Sequence, residues 1–227
     1  MPENSEHLLP VETGQAMHGT ATSSSAAAID LGPTYEELKP VRWCREELAG
    51  RMAELSSLGA GAALTMAFEL VLEAQLSGEP VCWITMLESS FYPPDVARSG
   101  IDLASLPIVR VKNGSGAARA ADKIIRSGAF GLVVVDLVEA GDRTFVPSPL
   151  QSRLLGLASK HSTALLFLTA KKDEAPSIGP LISLRARASR VRTAEGRFTC
   201  DIDIIKDKRR GPGWTHCEVR HGPTGLR

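Results

Sequence analysis

The chain lacks the features that mark several functional classes. Its 26 basic and 26 acidic side chains leave no net charge, so bulk electrostatics favour neither nucleic acid nor a membrane surface. Only four cysteines occur, Cys44, Cys82, Cys200 and Cys217. No two share a CxxC spacing, which argues against zinc, and Cys82 and Cys200 fall inside apolar strand patterns, where a buried reduced thiol belongs. No apolar run reaches spanning length and nothing resembles a signal peptide, so no membrane partner is expected and a cytoplasmic location is. Aromatics make up 5% of residues and are sparse in the basic stretches, Trp214 being the clear exception. That scarcity disfavours a stacking platform for single-stranded nucleic acid. Ser152 and His161 share one predicted helix with no acid nearby in sequence, so a hydrolase triad has no support. The most informative gap is in the lysines: none occurs between Lys39 and Lys112.

That gap covers the stretch around which the chain is organised. Arg51 to Ser56 reads as a strand and Gly59 to Gly61 as a turn. A helix from about Leu64 to Gln75 follows, with Leu64, Ala67, Phe68, Val71 and Leu72 on one face. Strand, glycine-bearing turn and helix is the layout of a phosphate-binding P-loop. In a working P-loop a lysine reaches the β- and γ-phosphates and a Ser or Thr hydroxyl holds magnesium. Here Ala62, Ala63 and Leu64 stand where Gly-Lys-Ser/Thr would open the helix, and neither Ala63 nor Leu64 can do that chemistry. Gly59 and Gly61 still offer backbone amides as an anion nest; the alternative is a plain turn into a packed helix. The expectation is a nucleotide-binding scaffold whose site has decayed, with no catalytic residue, cofactor or metal.

The remaining pattern predicts an α/β domain. Composition makes residues 1–38 a disordered acidic segment, with six acidic and one basic side chain in residues 1–40. The core is expected over 39–221 and a flexible tail over 222–227. Trp43 and Leu48 mark a short helix. Val81–Met86, Leu106–Val111, Gly131–Asp136 and Thr163–Thr169 read as strands, the continuous apolar runs suiting burial on both faces. Helices are expected from Asn113-Gly-Ser-Gly116 to about Ser127 and from Leu150 to His161, the latter with Ser148 as cap and Pro149 at its first position. A helical turn is expected at Pro94–Arg98. The alternation argues a parallel sheet with helices on both faces. Leu184–Thr193 and Arg197–Lys206 then form a hairpin around Glu195-Gly196, and Trp214–Arg220 adds a strand, giving an antiparallel C-terminal extension.

The order of these segments resembles the RecA-like recombinase superfamily. Glu54 to Gln75 is similar, without gaps, to the P-loop segment of recombinases, and Gly131 to Leu137 to their acidic second motif. Arg126-Ser-Gly128 and Ile204 to Lys208 also fit. Glu79 to Thr85, Phe91-Tyr-Pro, Leu150 to Thr169 and Leu184 to Thr193 resemble most closely the ImuA-type RecA homologues of bacterial translesion mutagenesis cassettes. That resemblance implies a short RecA-like chain without a C-terminal domain, acting in the SOS response to DNA damage. Its implied partners are the recombinase RecA, an inactive Y-family polymerase relative and a replicative-type translesion polymerase. It also matches Asp136 to the magnesium-associated acid, the alternative being a hydrogen bond to the neighbouring loop. Glu88 lies near the family's catalytic glutamate, one residue farther from the strand, and is assigned no role.

Residues 171–227 hold thirteen basic and seven acidic side chains, so nucleic-acid contact is sought there. Lys171 and Lys172 fall where recombinases carry a DNA-binding loop, although Asp173 and Glu174 follow at once. Arg185 and Arg187 share one strand face, as do Arg190 and Arg192. These read as a solvated strand face or, with Arg209 and Arg210, as one basic surface. Lys206 and Lys208 match lysines that reach nucleotide across a filament interface, and would touch a protein partner here. The expected function is a non-catalytic accessory of DNA repair and translesion synthesis, docking on recombinase and polymerase components. A weak ATPase and a single-stranded DNA binder are the alternatives.

Overall fold

The computed structural model describes residues 41–58, 62–89, 96, 99–194 and 196–221. The segment 1–38, the turn Gly59–Gly61, the stretch Phe91-Tyr-Pro, the expected helical turn apart from residue 96, Glu195 and the tail 222–227 lie outside them.

Among the described residues eight strands form one sheet in the order β3-β2-β4-β5-β1-β6-β7-β8. They are β1 (Met52–Ser56), β2 (Val81–Met86), β3 (Ile108–Val111), β4 (Leu132–Asp136), β5 (Ala164–Thr169), β6 (Leu184–Ala194), β7 (Arg197–Asp207) and β8 (Thr215–His221). All pairings from β3 through β6 are parallel, and β7 and β8 continue antiparallel. This is the parallel sheet with an antiparallel extension that the sequence pattern predicts, and the RecA-like arrangement that the resemblance implies. Every residue of β1, β2, β4 and β5 is buried, because helices cover both faces. Residues alternate between those faces, as strand geometry requires. Trp83, Val134 and Leu166 join the core beneath α2 (Ala63–Leu76), while Ile84, Val133 and Phe167 join the core beneath α3 (Gly114–Arg126) and α4 (Ser148–His161). The short helix α1 (Arg45–Leu48) closes the first core with buried Trp43 and Leu48.

Local chemistry sets the element ends. Asn113 caps α3, its Oδ1 accepting from the Gly116 amide at 2.8 Å, which satisfies one of the first-turn donors. At the other end Gly128 takes a left-handed φ of 72° with its amide on the Ile125 carbonyl. A Cβ there would sit 2.9 Å from the His161 ring, so a side chain is excluded by both backbone and space. The expected Ser148 cap is corrected. Ser148 is the first helical residue and faces solvent, Pro147 occupies the cap position without a side-chain bond, and the Pro147 carbonyl takes the first helical bond from Gln151. The predicted face of α2 is also rotated. Met66, Leu70 and Ala74 are buried beside Ala67, Phe68 and Val71, while Leu64 is 41% exposed.

A buried ion pair fastens the extension to the parallel sheet. Arg51, just before β1, places Nη2 2.5 Å from Asp207 Oδ1 at the end of β7, and both side chains are out of solvent. Arg51 also donates to the Ser183 hydroxyl and carbonyl at 3.0 Å each. Asp207 accepts from the Arg209 amide at 2.8 Å and the Trp214 indole at 3.2 Å. Trp214, the one aromatic the sequence offers for base stacking, is engaged in this structural node.

Candidate functional site

In open α/β sheets ligands sit beyond the carboxyl ends of the strands, and the residues of interest converge there. β1 ends at Ser56 and α2 begins at Ala63. Ala62 and Ala63 are buried against the core, and the first turn of α2 carries neither a cation nor a hydroxyl facing the strand ends before Thr65. Gly59 and Gly61 lie outside the described residues. Two strands away, Asp136 ends β4 on the α2 face. Its Oδ2 accepts from the Thr85 hydroxyl at 3.3 Å and its Oδ1 from the Val138 amide at 3.1 Å. Burial pushes its carboxyl above the ordinary range, and the Val138 and Thr85 hydrogen bonds offset only part of that. An Asp poised for a divalent cation gains from remaining charged and open. This one is closed inward, onto Thr85 of β2 and the Val138 amide of its own loop. Beneath it Phe68 of α2 stacks on Trp83 of β2, the rings 4.5 Å apart and within 5° of parallel.

The loop from Ala170 to Pro180, between β5 and β6, is pinned from below. Glu54, central in β1 and fully buried, accepts from the Thr169 hydroxyl and the Ile178 amide, both at 2.9 Å, and pairs with Lys171 at 3.2 Å. Its register partner on β6 is Arg185, only 4% exposed, whose guanidinium donates to the Lys172 and Ala175 carbonyls. Gln151 of α4 reaches the loop at the Ile178 carbonyl and packs where a side chain on Gly179 would have to go.

These contacts sort the predicted nucleic-acid residues. Arg185 is not on a solvated strand face: the loop folds back over it and takes up both its terminal nitrogens. Lys171 is paired inward. Arg187 is exposed but held by Asp173 and, at 2.6 Å, Asp203. Lys172 is exposed. Arg209 and Arg210 do not join them. β7 runs antiparallel to β6, so Asp207 lies opposite Leu184, the first residue of β6. The residues after it fall at the other end of the sheet, where Arg209 meets the Ala49 carbonyl and Arg210 pairs with Glu47 at 2.6 Å. The single basic surface is therefore two. Lys208 at that far end donates to the Pro180 carbonyl. Lys206 is half-buried, and burial together with Lys208 lowers its pKa.

At the near end an open groove of about 600 Å³ runs between Ser57 and Leu58, the loop from Lys171 to Glu174, and β6 from Arg187 to Arg190. Sequence reasoning missed Glu54 as the anchor of this wall, and also Phe198, over whose ring Arg190 lies at 5.2 Å. A carboxylate in the middle of an otherwise apolar strand run was the available signal for Glu54. Among the described residues no helix is long and apolar enough to cross a membrane.

A family model for the RecA N-terminal domain matches residues 47–173. Among curated relatives, Protein RecA of Chlorobium chlorochromatii (strain CaD3) is 29% identical over 141 residues, covering 55% of this chain and 40% of that protein. Protein RecA of Cutibacterium acnes is 30% identical over 125 residues, covering 52% and 36%. Protein RecA of Rhizobium rhizogenes (strain K84 / ATCC BAA-868) is 32% identical over 123 residues, covering 53% and 34%. The chain thus spans two fifths or less of the length of these relatives.

Proposed function

We propose a function from one premise: this chain belongs to the RecA N-terminal domain family. A role in DNA repair or recombination follows from that membership. Within it, the chain acts as a non-catalytic accessory, using a RecA-like sheet to dock on the recombinase and on translesion polymerase components rather than to turn over ATP. One observation carries this reading. Where the fold should present a lysine and a hydroxyl to phosphate, Ala63 is buried in the core and Leu64 is 41% exposed. The acid opposite them, Asp136, has its oxygens turned to Thr85 and Val138. Phosphoryl transfer is catalysed almost wholly by placed charge, and this edge of the sheet holds none aimed at a γ-phosphate among the described residues. The resemblance to ImuA-type chains narrows the partners to the recombinase, an inactive Y-family polymerase relative and a replicative-type translesion polymerase.

Calorimetric titration with ATP and magnesium tests the negative half, and co-purification of the tagged chain with recombinase and the polymerase relative from DNA-damaged cells tests the positive half. The expected results are no ATP heat and capture of at least one partner. Turnover abolished by Asp136→Asn would establish the ATPase alternative instead.

A further inference from the structure

β6 outruns its neighbour. Its pairing with β1 ends at Ser56 opposite Arg187, yet it continues to Ala194 paired with β7. Among the described residues, no strand pairs with the β1-side edge of residues 188–194. At about 3.3 Å per residue that is roughly 23 Å of strand edge with no strand partner among the described residues. Natural sheets usually shorten, cover or block such an edge. This one carries Val191 at 54% exposure and borders the groove beside Ser57 and Leu58. Four cations line it, but Lys171 pairs with Glu54 and Arg187 with Asp173 and Asp203, so the sign of the lining rests on Lys172 and Arg190 against Glu174. Lys172 and Arg190 have no carboxylate partner among the described residues, and Arg192 stands exposed farther along the edge.

We propose that this groove is a peptide site, in which an extended acidic segment of a partner protein adds as a strand to the free edge of β6 over residues 188–194. Main-chain hydrogen bonds to the edge supply affinity, as in other strand-addition complexes. Acidic side chains on one face of the added strand meet Arg190 and Arg192, and apolar ones on its other face pack on Val191, on the side where Lys172 borders the groove. The wall is already built: Glu54 and Arg185 hold the 170–178 loop in place, so the loop spends no ordering entropy on binding. The site stands on geometry and is independent of whether the partners named above are the right ones.

The probe is a fluorescein-labelled octapeptide of alternating valine and glutamate, compared with its valine–lysine counterpart and with an oligo(dT) octamer, by anisotropy on the full chain. The acidic peptide should bind at least tenfold more tightly than the basic one and protect the amides of residues 188–193 from hydrogen exchange. Lys172→Glu and Arg190→Glu should each weaken it severalfold. Glu174→Lys, an exposed loop change, should strengthen it, a gain that misfolding cannot imitate. Equal binding of the two peptides, protection elsewhere, or no response to Glu174→Lys overturns the proposal. Tighter binding of oligo(dT) with competition at the same amides would make the groove a nucleic-acid site and overturn it equally.

Discussion

Removing either member of the Arg51–Asp207 pair should damage the protein far more than removing both. The two charges meet at 2.5 Å with their side chains out of solvent, so each compensates the other in a low-dielectric setting. Arg51→Met leaves Asp207 with two neutral donors, the Arg209 amide and the Trp214 indole, and an uncompensated buried carboxylate. The cost of breaking such a pair is about 3–5 kcal/mol. For a core of this size each kcal/mol is worth about 2–4 °C, so the melting temperature should fall by roughly 6–20 °C. Asp207→Leu strands the guanidinium similarly. In Arg51→Met/Asp207→Leu no charge is left unpaired, and the double variant should be more stable than either single one. Acid sensitivity supplies an independent readout. Burial alone would raise the Asp207 carboxyl, but Arg51, the Arg209 amide and Trp214 together hold it below the ordinary range. A depressed carboxylate contributes stability above its unfolded pKa and loses it as pH falls through the folded one. Without Arg51 the burial of Asp207 is offset only by neutral donors, so the deficit of Arg51→Met against the parent protein should be largest near neutral pH and shrink as pH falls through the carboxylate range. Thermal melts of all four proteins across pH provide the cycle. Single variants costing under about 1 kcal/mol, or a double variant whose loss equals the sum of the singles, would refute the reasoning.

Glu69 gives the opposite pH dependence. Burial first, then the neighbouring Glu218, pushes its carboxyl up to about 7, so the folded state holds the proton more tightly than the unfolded chain and stability falls as pH rises from about 4.5 to about 7. Solvent screening at this partly exposed site limits the effect to about 1–2 kcal/mol; Glu69→Gln should flatten the stability–pH curve in that window, and an unchanged slope contradicts the assignment. Arg185→Ala should cost about 1.5–3 kcal/mol by leaving the Lys172 and Ala175 carbonyls without their charged donor, whereas Lys172→Ala should leave the denaturation midpoint in place; equal effects would show that the loop is not held from below. Phe68→Ala should cost about 3–5 kcal/mol through the cavity left against Trp83, measured by urea unfolding, and a loss under about 1 kcal/mol would mean the stack carries little of the α2 contact. DNA binding, followed by anisotropy at two salt concentrations, should be weak and salt-sensitive, since exposed cations are all that the strand ends offer to phosphate; tight binding that persists at high salt would be incompatible with that surface.

The parts of the fold that were legible in the sequence are those where one physical demand dominates. Val81–Met86 and Leu132–Asp136 are covered on both faces, so burial writes itself as an unbroken apolar run. Glu195-Gly196 between two alternating strands specifies a hairpin. Where two demands overlap, the pattern is ambiguous. The α2 stretch has only Thr65, Glu69, Glu73 and Gln75 as polar marks, a stripe too narrow to fix its phase closely, so the pattern turns Leu64 inward where Met66 is the buried residue. Arg185 and Arg187 have the spacing of a solvated face, and they do share a face. What separates them is a loop from elsewhere in the chain that closes over the first and meets the second only at its exposed rim, through Asp173. Ser148 had the chemistry of a cap, but Pro147 holds the cap geometry one residue earlier.

The same overlap explains why charge counting misleads in the C-terminal part. Its surplus of basic residues suggests a broad cationic surface, yet the fold spends those charges locally. Lys171 neutralises a buried carboxylate, Arg185 satisfies two loop carbonyls, Arg210 pairs with Glu47 across the far end, and Arg187 is shared by two aspartates. Lys172, Arg190, Arg192 and Arg197 reach the strand-end surface both exposed and without a carboxylate partner among the described residues, and the first three border the bare edge of β6. A diffuse phosphate-binding face would distribute unpaired cations over the surface to follow a backbone. Three cations gathered along one strand edge, next to amides with no strand partner among the described residues and an exposed valine, match a ligand with a backbone of its own to pair and acids at alternate positions. That placement, rather than the count of basic residues, is what favours a protein partner over a nucleic acid at this end of the sheet.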